Sequence, residues 1–155
     1  MSELDERDFE ILTELEGDAS KTRKQIAKKL QLPLTTVHNR IGKMEKSGVI
    51  RGYSAIVDKK KIGKGVGAFV DVTVNYISPD FSQQDIARRI MGMPEVEEVA
   101  IVTGGKDLQI KVHVSSTDEL NEFITRKLRS IKGIDKTSTS VILQEIGRNK
   151  QRRTK

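Results

Sequence analysis

The chain has 155 residues, about one ordinary domain by length, enough for one sizeable core or two small ones. Its 28 Lys plus Arg against 22 Asp plus Glu give a formal charge of +6, so a polyanionic partner is a first expectation that the placement of the charges must decide. Cysteine is absent and His38 and His113 are the two histidines, which excludes a disulfide framework and thiolate metal sites and gives no basis for a histidine-rich metal centre.

The N-terminus, MSELDERDFE, has neither the basic nor the apolar region of a signal peptide, and no apolar run reaches the roughly 18 residues of a membrane span. A soluble, cytoplasmic protein with no membrane partner is expected. Aromatic residues make up 4% of the chain, too few for base stacking to be an obvious mode of recognition.

Charge is segregated along the chain. Residues 3–18 hold Glu3, Asp5, Glu6, Asp8, Glu10, Glu14, Glu16 and Asp18 against Arg7, whereas 21–51 hold Lys21, Arg23, Lys24, Lys28, Lys29, Arg40, Lys43, Lys46 and Arg51 against Glu45. The second block is a field that could meet phosphates, or a solvated lysine-rich face. Helical spacing of Leu4, Ile11, Leu12 and Leu15 predicts a first helix with Asp5 and Glu6 in its opening turn. A second is predicted from about Thr22 to Gln31, burying Ile26, Ala27 and Leu30 and stopping before Pro33. A third runs from about Leu34 to Lys46, with Val37, Ile41 and Met44 on one face and a left-handed Gly48 after it.

Two short helices joined by the turn Gln31-Leu32-Pro33 have the helix-turn-helix form, whose second helix enters the DNA major groove. Thr35, Asn39, Gly42, Lys43 and Lys46 fall opposite the apolar stripe, with Thr36 and His38 on its flanks. Thr36, His38, Asn39 and Lys43 are therefore candidates for base readout, with Thr35 beside them on the DNA-facing side. Arg40, nearer the stripe, is suited to a phosphate contact or an intramolecular ion pair. Gly42 either lets a backbone approach closely or is an ordinary surface glycine.

Val49–Val57 is rich in β-branched residues and reads as a short hairpin or wing plus a linker strand. Asp58-Lys59-Lys60-Lys61 and Gly63, Gly65 and Gly67 form a joint to a second module. There, Val66, Ala68, Val70, Val72 and Val74 alternate as a strand. Ser82–Met91 is a helix opened by Ser82-x-x-Asp85 and burying Ile86 and Ile90. Val96–Thr103 and Leu108–Val114 are strands joined through Gly104-Gly105-Lys106. Ser116-x-x-Glu119 opens a helix with Leu120, Phe123, Ile124, Leu128 and Ile131 inward, closed by Gly133, and Thr137–Gln144 is a fourth strand.

The expected fold class is thus α+β: an N-terminal three-helix, winged helix-turn-helix joined to a C-terminal ferredoxin-like βαββαβ domain. The expected divisions are 1–50 for the first domain, 51–65 for the linker strand and hinge, 66–146 for the second domain and 147–155 for a basic, disordered tail. Because Val99, Ala100, Ile101 and Val102 look apolar on both faces of a sheet that helices cover on one side, a homodimer through the sheets is expected.

Nearly the whole chain resembles the Lrp/AsnC, or feast/famine, transcription regulators. The first half carries Leu4-Asp5-x-x-Asp8-x-x-Ile11-Leu12-x-x-Leu15, Ile26-Ala27, and Val37-x-x-Arg40-Ile41-x-x-Met44-Glu45-x-x-Gly48-Val49-Ile50-x-Gly52-Tyr53. The second carries Val102-Thr103-Gly104-x-x-Asp107 and Gly133-Ile134-x-x-Thr137-x-Thr139. The resemblance implies a regulator on the nucleoid that binds double-stranded DNA, with dimers associating further, commonly into octamers, and an amino-acid effector at the contact between dimers. It places effector contacts on Gly104, Gly105, Asp107, Thr137 and Thr139. Amides beside the glycines suit an α-carboxylate, and Asp107 suits an α-ammonium; the alternative is that Gly104 and Asp107 simply shape a hairpin. Lys106 stands where the family often has an aromatic residue. Pro33 and Leu34 stand where it often has a helix-opening serine, leaving Thr35 as the expected cap.

The competing functions are weaker. An architectural, low-specificity DNA-coating protein fits the basic tail. RNA binding would rest on Lys64–Val70, which lies on the first strand and offers one Phe. No catalytic residues and no cofactor are expected, since Gly104-Gly105-Lys106 lacks both the upstream Gly and the Ser or Thr of a phosphate loop.

Overall fold

The computed structural model describes residues 4–75 and 82–146, and the chain divides into two compact units at Ile56/Val57. The basic tail lies outside the described residues. No described helix is long and apolar enough to cross a membrane, and no cluster of metal-ligating side chains occurs among the described residues.

The first unit is α1 (Glu6–Gly17), α2 (Arg23–Leu30) and α3 (Leu34–Lys46). Asp5 is the N-cap of α1 rather than part of its first turn: its carboxylate accepts from Asp8 N at 3.0 Å, and Asp8 accepts from Asp5 N at 3.1 Å. This reciprocal pair satisfies two amide donors that a helix start leaves over. Thr22 and Gln25 make the same box on α2. At the end of α2, Gln31 takes the left-handed conformation (φ 54°), a costly choice for a residue with a Cβ, and turns the chain toward α3. Helix α3 starts after Pro33 without a side-chain cap, so Thr35 does not take that role. Pro33 presets an extended entry, and a proline at the cap has no amide of its own to satisfy. Ile11, Ile26, Ala27, Val37, Ile41 and Met44 form the core, with Leu4, Leu12, Leu15, Leu30, Leu32 and Ile50 packed around it.

The second unit is β1 (Val66–Val74), α4 (Gln83–Met91), β2 (Val96–Ile101), β3 (Leu108–Val114), α5 (Thr117–Glu122) and β4 (Ile134–Val141). The strands form one antiparallel sheet in the order β2-β3-β1-β4. Ala68, Val70, Val72, Leu108, Ile110 and Val112 line its inner face against Ile86, Ile90, Leu120, Phe123 and Leu128.

Several local expectations need correction. Residues 51–57 form no strand: a strand is stable only with a ladder partner, and this segment has none among the described residues. Ser82 caps α4 by position without a side-chain hydrogen bond. Strand β2 ends at Ile101, and β4 spans Ile134–Val141 because its ladder follows β1, the length of its partner. Helix α5 widens into a π-helical segment, Phe123–Leu128, whose i to i+5 register brings Phe123 and Leu128 both into the core.

Finally, β2 is not apolar on both faces. Val99 and Ile101 pair with Ile110 and Leu108 on the helix side, while Ala100 pairs with Gln109 on the other. The outer face carries Phe69 amid charge: Lys106 on Asp71 at 2.7 Å, Lys111 on Glu145 at 2.6 Å, and His113 against Glu97 at 2.7 Å. Apolar excess on this face therefore does not argue for a dimer. Gly67 is required here, since a Cβ would lie 2.9 Å from the Nε2 of buried His113 and 3.3 Å from Ile142. Gly67→Ala is expected to lower the stability of the second unit by about 1–3 kcal/mol, as overpacking does, read by urea denaturation of the full chain.

Candidate functional site

Burying Val37, Ile41 and Met44 turns the opposite face of α3 to solvent. Thr35, His38, Asn39, Lys43 and Lys46 are exposed there, and Thr36 and Gly42 are half-buried. The side chains of Thr35, Asn39, Lys43 and Lys46 make no hydrogen bond or ion pair among the described residues, so their polar ends face water. An open groove beside the helix is lined by Arg23, His38, Asn39, Gly42, Lys43 and Lys46, and a neighbouring hollow by Thr22, Lys24 and Thr35. Donors on a 13-residue helix with a bare Gly42 in the middle suit a polyanion that also carries hydrogen-bonding edges.

Arg40 is placed differently. Its Nη1 donates to both oxygens of Asp5, at 2.7 and 2.6 Å, and to Asp8 Oδ1 at 2.9 Å. Of the two roles open to it, the structure draws the intramolecular ion pair, made through Nη1 to the acids that start α1. Arg40 and the Asp8 amide together hold the Asp5 carboxyl below its ordinary range, and Asp5 holds the guanidinium up in return. Buried Glu14 likewise receives Lys21 and Lys29, both at 2.5 Å, and these two hydrogen bonds lower it, Lys21 most.

Three residues that spacing did not single out belong to this face. Arg23 opens α2, where the helix dipole disfavours a cation, and this misplaced charge was the available signal. Its guanidinium lies against the His38 ring and 3.7 Å from Glu45. Tyr53 donates to Glu45 at 2.9 Å; burial first and the carboxylate second raise its hydroxyl, which stays a donor.

In the second unit, Gly104 (φ 112°) and Gly105 are exposed with open space about them. Asp107 is half-buried: its carboxylate accepts from Val74 N at 2.8 Å and from Gln83 Nε2 at 2.9 Å, tying the loop to the end of β1 and the start of α4. Thr137 Oγ1 accepts from Arg129 Nε at 3.1 Å, and Thr139 is exposed. Leu108, Val72 and Thr137 form one row across three strands, so the loop and Thr137 share an end of the sheet with β1 between them, roughly 10 Å apart.

Residues 4–51 match a model described as winged helix-turn-helix DNA-binding, and 67–151 match the Lrp/AsnC ligand binding domain. The chain is 35% identical over 140 residues to an HTH-type transcriptional regulator of Pyrococcus horikoshii, covering 89% of this chain and 91% of that protein. It is 33% identical to the HTH-type transcriptional regulator FL11 of the same organism, over 91% and 90%. Among solved structures it is similar to E. coli AsnC (TM-score 0.78, 29% identity, 92% and 94% covered). It is similar also to a feast or famine regulatory protein of M. tuberculosis in complex with L-methionine (TM-score 0.84, 27% identity, 98% and 99% covered).

Two outcomes are expected. Above the ordinary carboxylate range, near pH 4, the depressed Asp5 and Glu14 stabilise the first unit, and that contribution is lost as pH falls through their folded-state values. Arg40→Gln should therefore lower the melting temperature at pH 7, and the gap from wild type should close toward pH 3 in a thermal scan. Gly42→Ala, whose Cβ meets nothing within 4 Å, should gain up to about 1 kcal/mol of helix stability yet weaken duplex binding severalfold in an anisotropy titration.

Proposed function

The chain belongs to the Lrp/AsnC family of helix-turn-helix regulators, and on that footing we propose a sequence-preferring transcription regulator that binds double-stranded DNA through the outer face of α3 and answers to an amino-acid-like effector. The observation that carries the reading is that face: exposed Thr35, His38, Asn39 and Lys43, with half-buried Thr36, presented by a helix whose opposite stripe is buried. Asn pairs with adenine edges and Lys with guanine, while Lys46 and Lys24 supply charge toward phosphates. The protein works without catalysis or a cofactor, in the cytoplasm and on the nucleoid.

Reading two half-sites requires two copies of α3, so the working unit is a homodimer, and its association into higher assemblies such as octamers follows the family pattern. Tyr53 and Ile56 support this: they are exposed on a segment, 51–56, that has no ladder partner among the described residues, and a second copy can supply one.

The effector site comprises Gly104, Gly105, Asp107, Thr137 and Thr139. Loop amides receive the α-carboxylate, the threonine hydroxyls receive either polar group, and Asp107 holds the loop in shape through Val74 and Gln83 and brings a carboxylate of the sign that suits an α-ammonium. The L-methionine complex of the M. tuberculosis relative supports an amino acid as the ligand class. Such a ligand shifts assembly, and hence occupancy, by no more than its differential affinity for the assembly states.

The test is competition between a selected site and random duplex, at several salt concentrations and with or without an amino-acid mixture. Affinity should fall steeply with salt, and Lys46→Gln should reduce the salt slope. Asn39→Ala should cost about 1–3 kcal/mol of discrimination at one base position. Equal binding of both duplexes would instead favour a DNA-coating role.

A further inference from the structure

Arg23 and His38 are both basic, yet they touch, which makes their contact informative about the proton on the ring. Arg23 Nη1 lies 2.5 Å from His38 Nδ1. A guanidinium offers donors alone, so Nδ1 must be the acceptor, which leaves the imidazole neutral with its proton on Nε2. Arg23 is braced on its other side by Glu45 Oε2 at 3.7 Å, and Glu45 is itself held by the Tyr53 hydroxyl at 2.9 Å. The ring is exposed at the groove beside Asn39.

Resting on the DNA-contact reading above, we propose that Arg23 is a positioning residue for base recognition: braced by Glu45 and Tyr53, it locks His38 as the Nε2–H tautomer, so that α3 presents a single outward donor. Such a donor matches the acceptor edges of the major groove, N7 and O6 of guanine, N7 of adenine and O4 of thymine, and excludes cytosine, which offers its amino donor there. The charged groups around the ring are Arg23 and Lys24 of α2 and Lys43, Glu45 and Lys46 of α3, of which Glu45 is the anion, with the titratable Tyr53 hydroxyl behind it.

The experiment uses the full chain. Imidazole nitrogen NMR of the free protein at pH 7.5 should show His38 protonated on Nε2, with mixed tautomers in Arg23→Gln. Binding-site selection from a random duplex library should show, at one position, an exclusion of cytosine that weakens about tenfold in His38→Ala and in Arg23→Gln alike, with the double variant no worse than either. Protonation on Nδ1 in the free protein, an Arg23→Gln that loses affinity equally for every sequence while keeping its base preference, or additive losses in the double variant would overturn the proposal alone. A wild type with no preference at any base would remove the DNA-contact reading as well.

Discussion

The apolar stripe of α3 is the constraint on which the first unit depends. A helix of 13 residues that buries Val37, Ile41 and Met44 has no freedom left about its own axis, and the side turned outward follows from that burial. Fully burying side chains of this size stabilises by about 1.5–3 kcal/mol each, far more than an exposed ion pair, so rotating the helix to hide its polar side is excluded. The helix-turn-helix geometry is the consequence of this stripe meeting Ile26 and Ala27 of α2 across a turn that Gln31 closes in the left-handed region.

Charge is arranged in a second layer over this packing. The acids of α1 and the bases that follow it are not two independent fields. Asp5 and Asp8 cap α1 and clasp Arg40, while Glu14 takes Lys21 and Lys29, so part of the basic block neutralises carboxylates within the unit. What remains toward the groove is narrower than the composition suggests: Lys24, Lys43 and Lys46, with Arg23 turned to His38 and Glu45. A face with few cations and several hydrogen-bonding groups is better suited to reading edges than to coating phosphates.

The sheet of the second unit makes the complementary point about motifs. Gly104 and Asp107 are conspicuous as a turn, and both the ligand role and the turn-shaping role used the same residues. Asp107 accepting from Val74 and Gln83 gives the shaping role a physical basis, because a half-buried carboxylate needs donors and the end of β1 has an amide to offer. On the outer face, Asp71, Lys106, Gln109, Lys111 and His113 pair among themselves and with Glu97 and Glu145, a surface whose polarity no single strand revealed.

Periodicity was sufficient for the helices and strands themselves, since a repeat of two or of 3.6 is a local property: β1 at Val66–Val74 and α3 at Leu34–Lys46 lie where alternation and the i, i+4, i+7 stripe put them. The family was legible for the same reason, its signature being short runs such as Val37-x-x-Arg40-Ile41. What tertiary structure alone decided is where long side chains end. Arg40 reaches 35 residues back to Asp5, and Arg23 reaches 15 residues forward to His38; neither distance is a helical or strand repeat, so no pattern in the chain could announce them. The ladder that sets the bounds of β4 and the core that draws Phe123–Leu128 into a wider turn are likewise set by partners remote in sequence. Local order follows from neighbours along the chain, whereas the chemistry offered by its surface follows from neighbours in space.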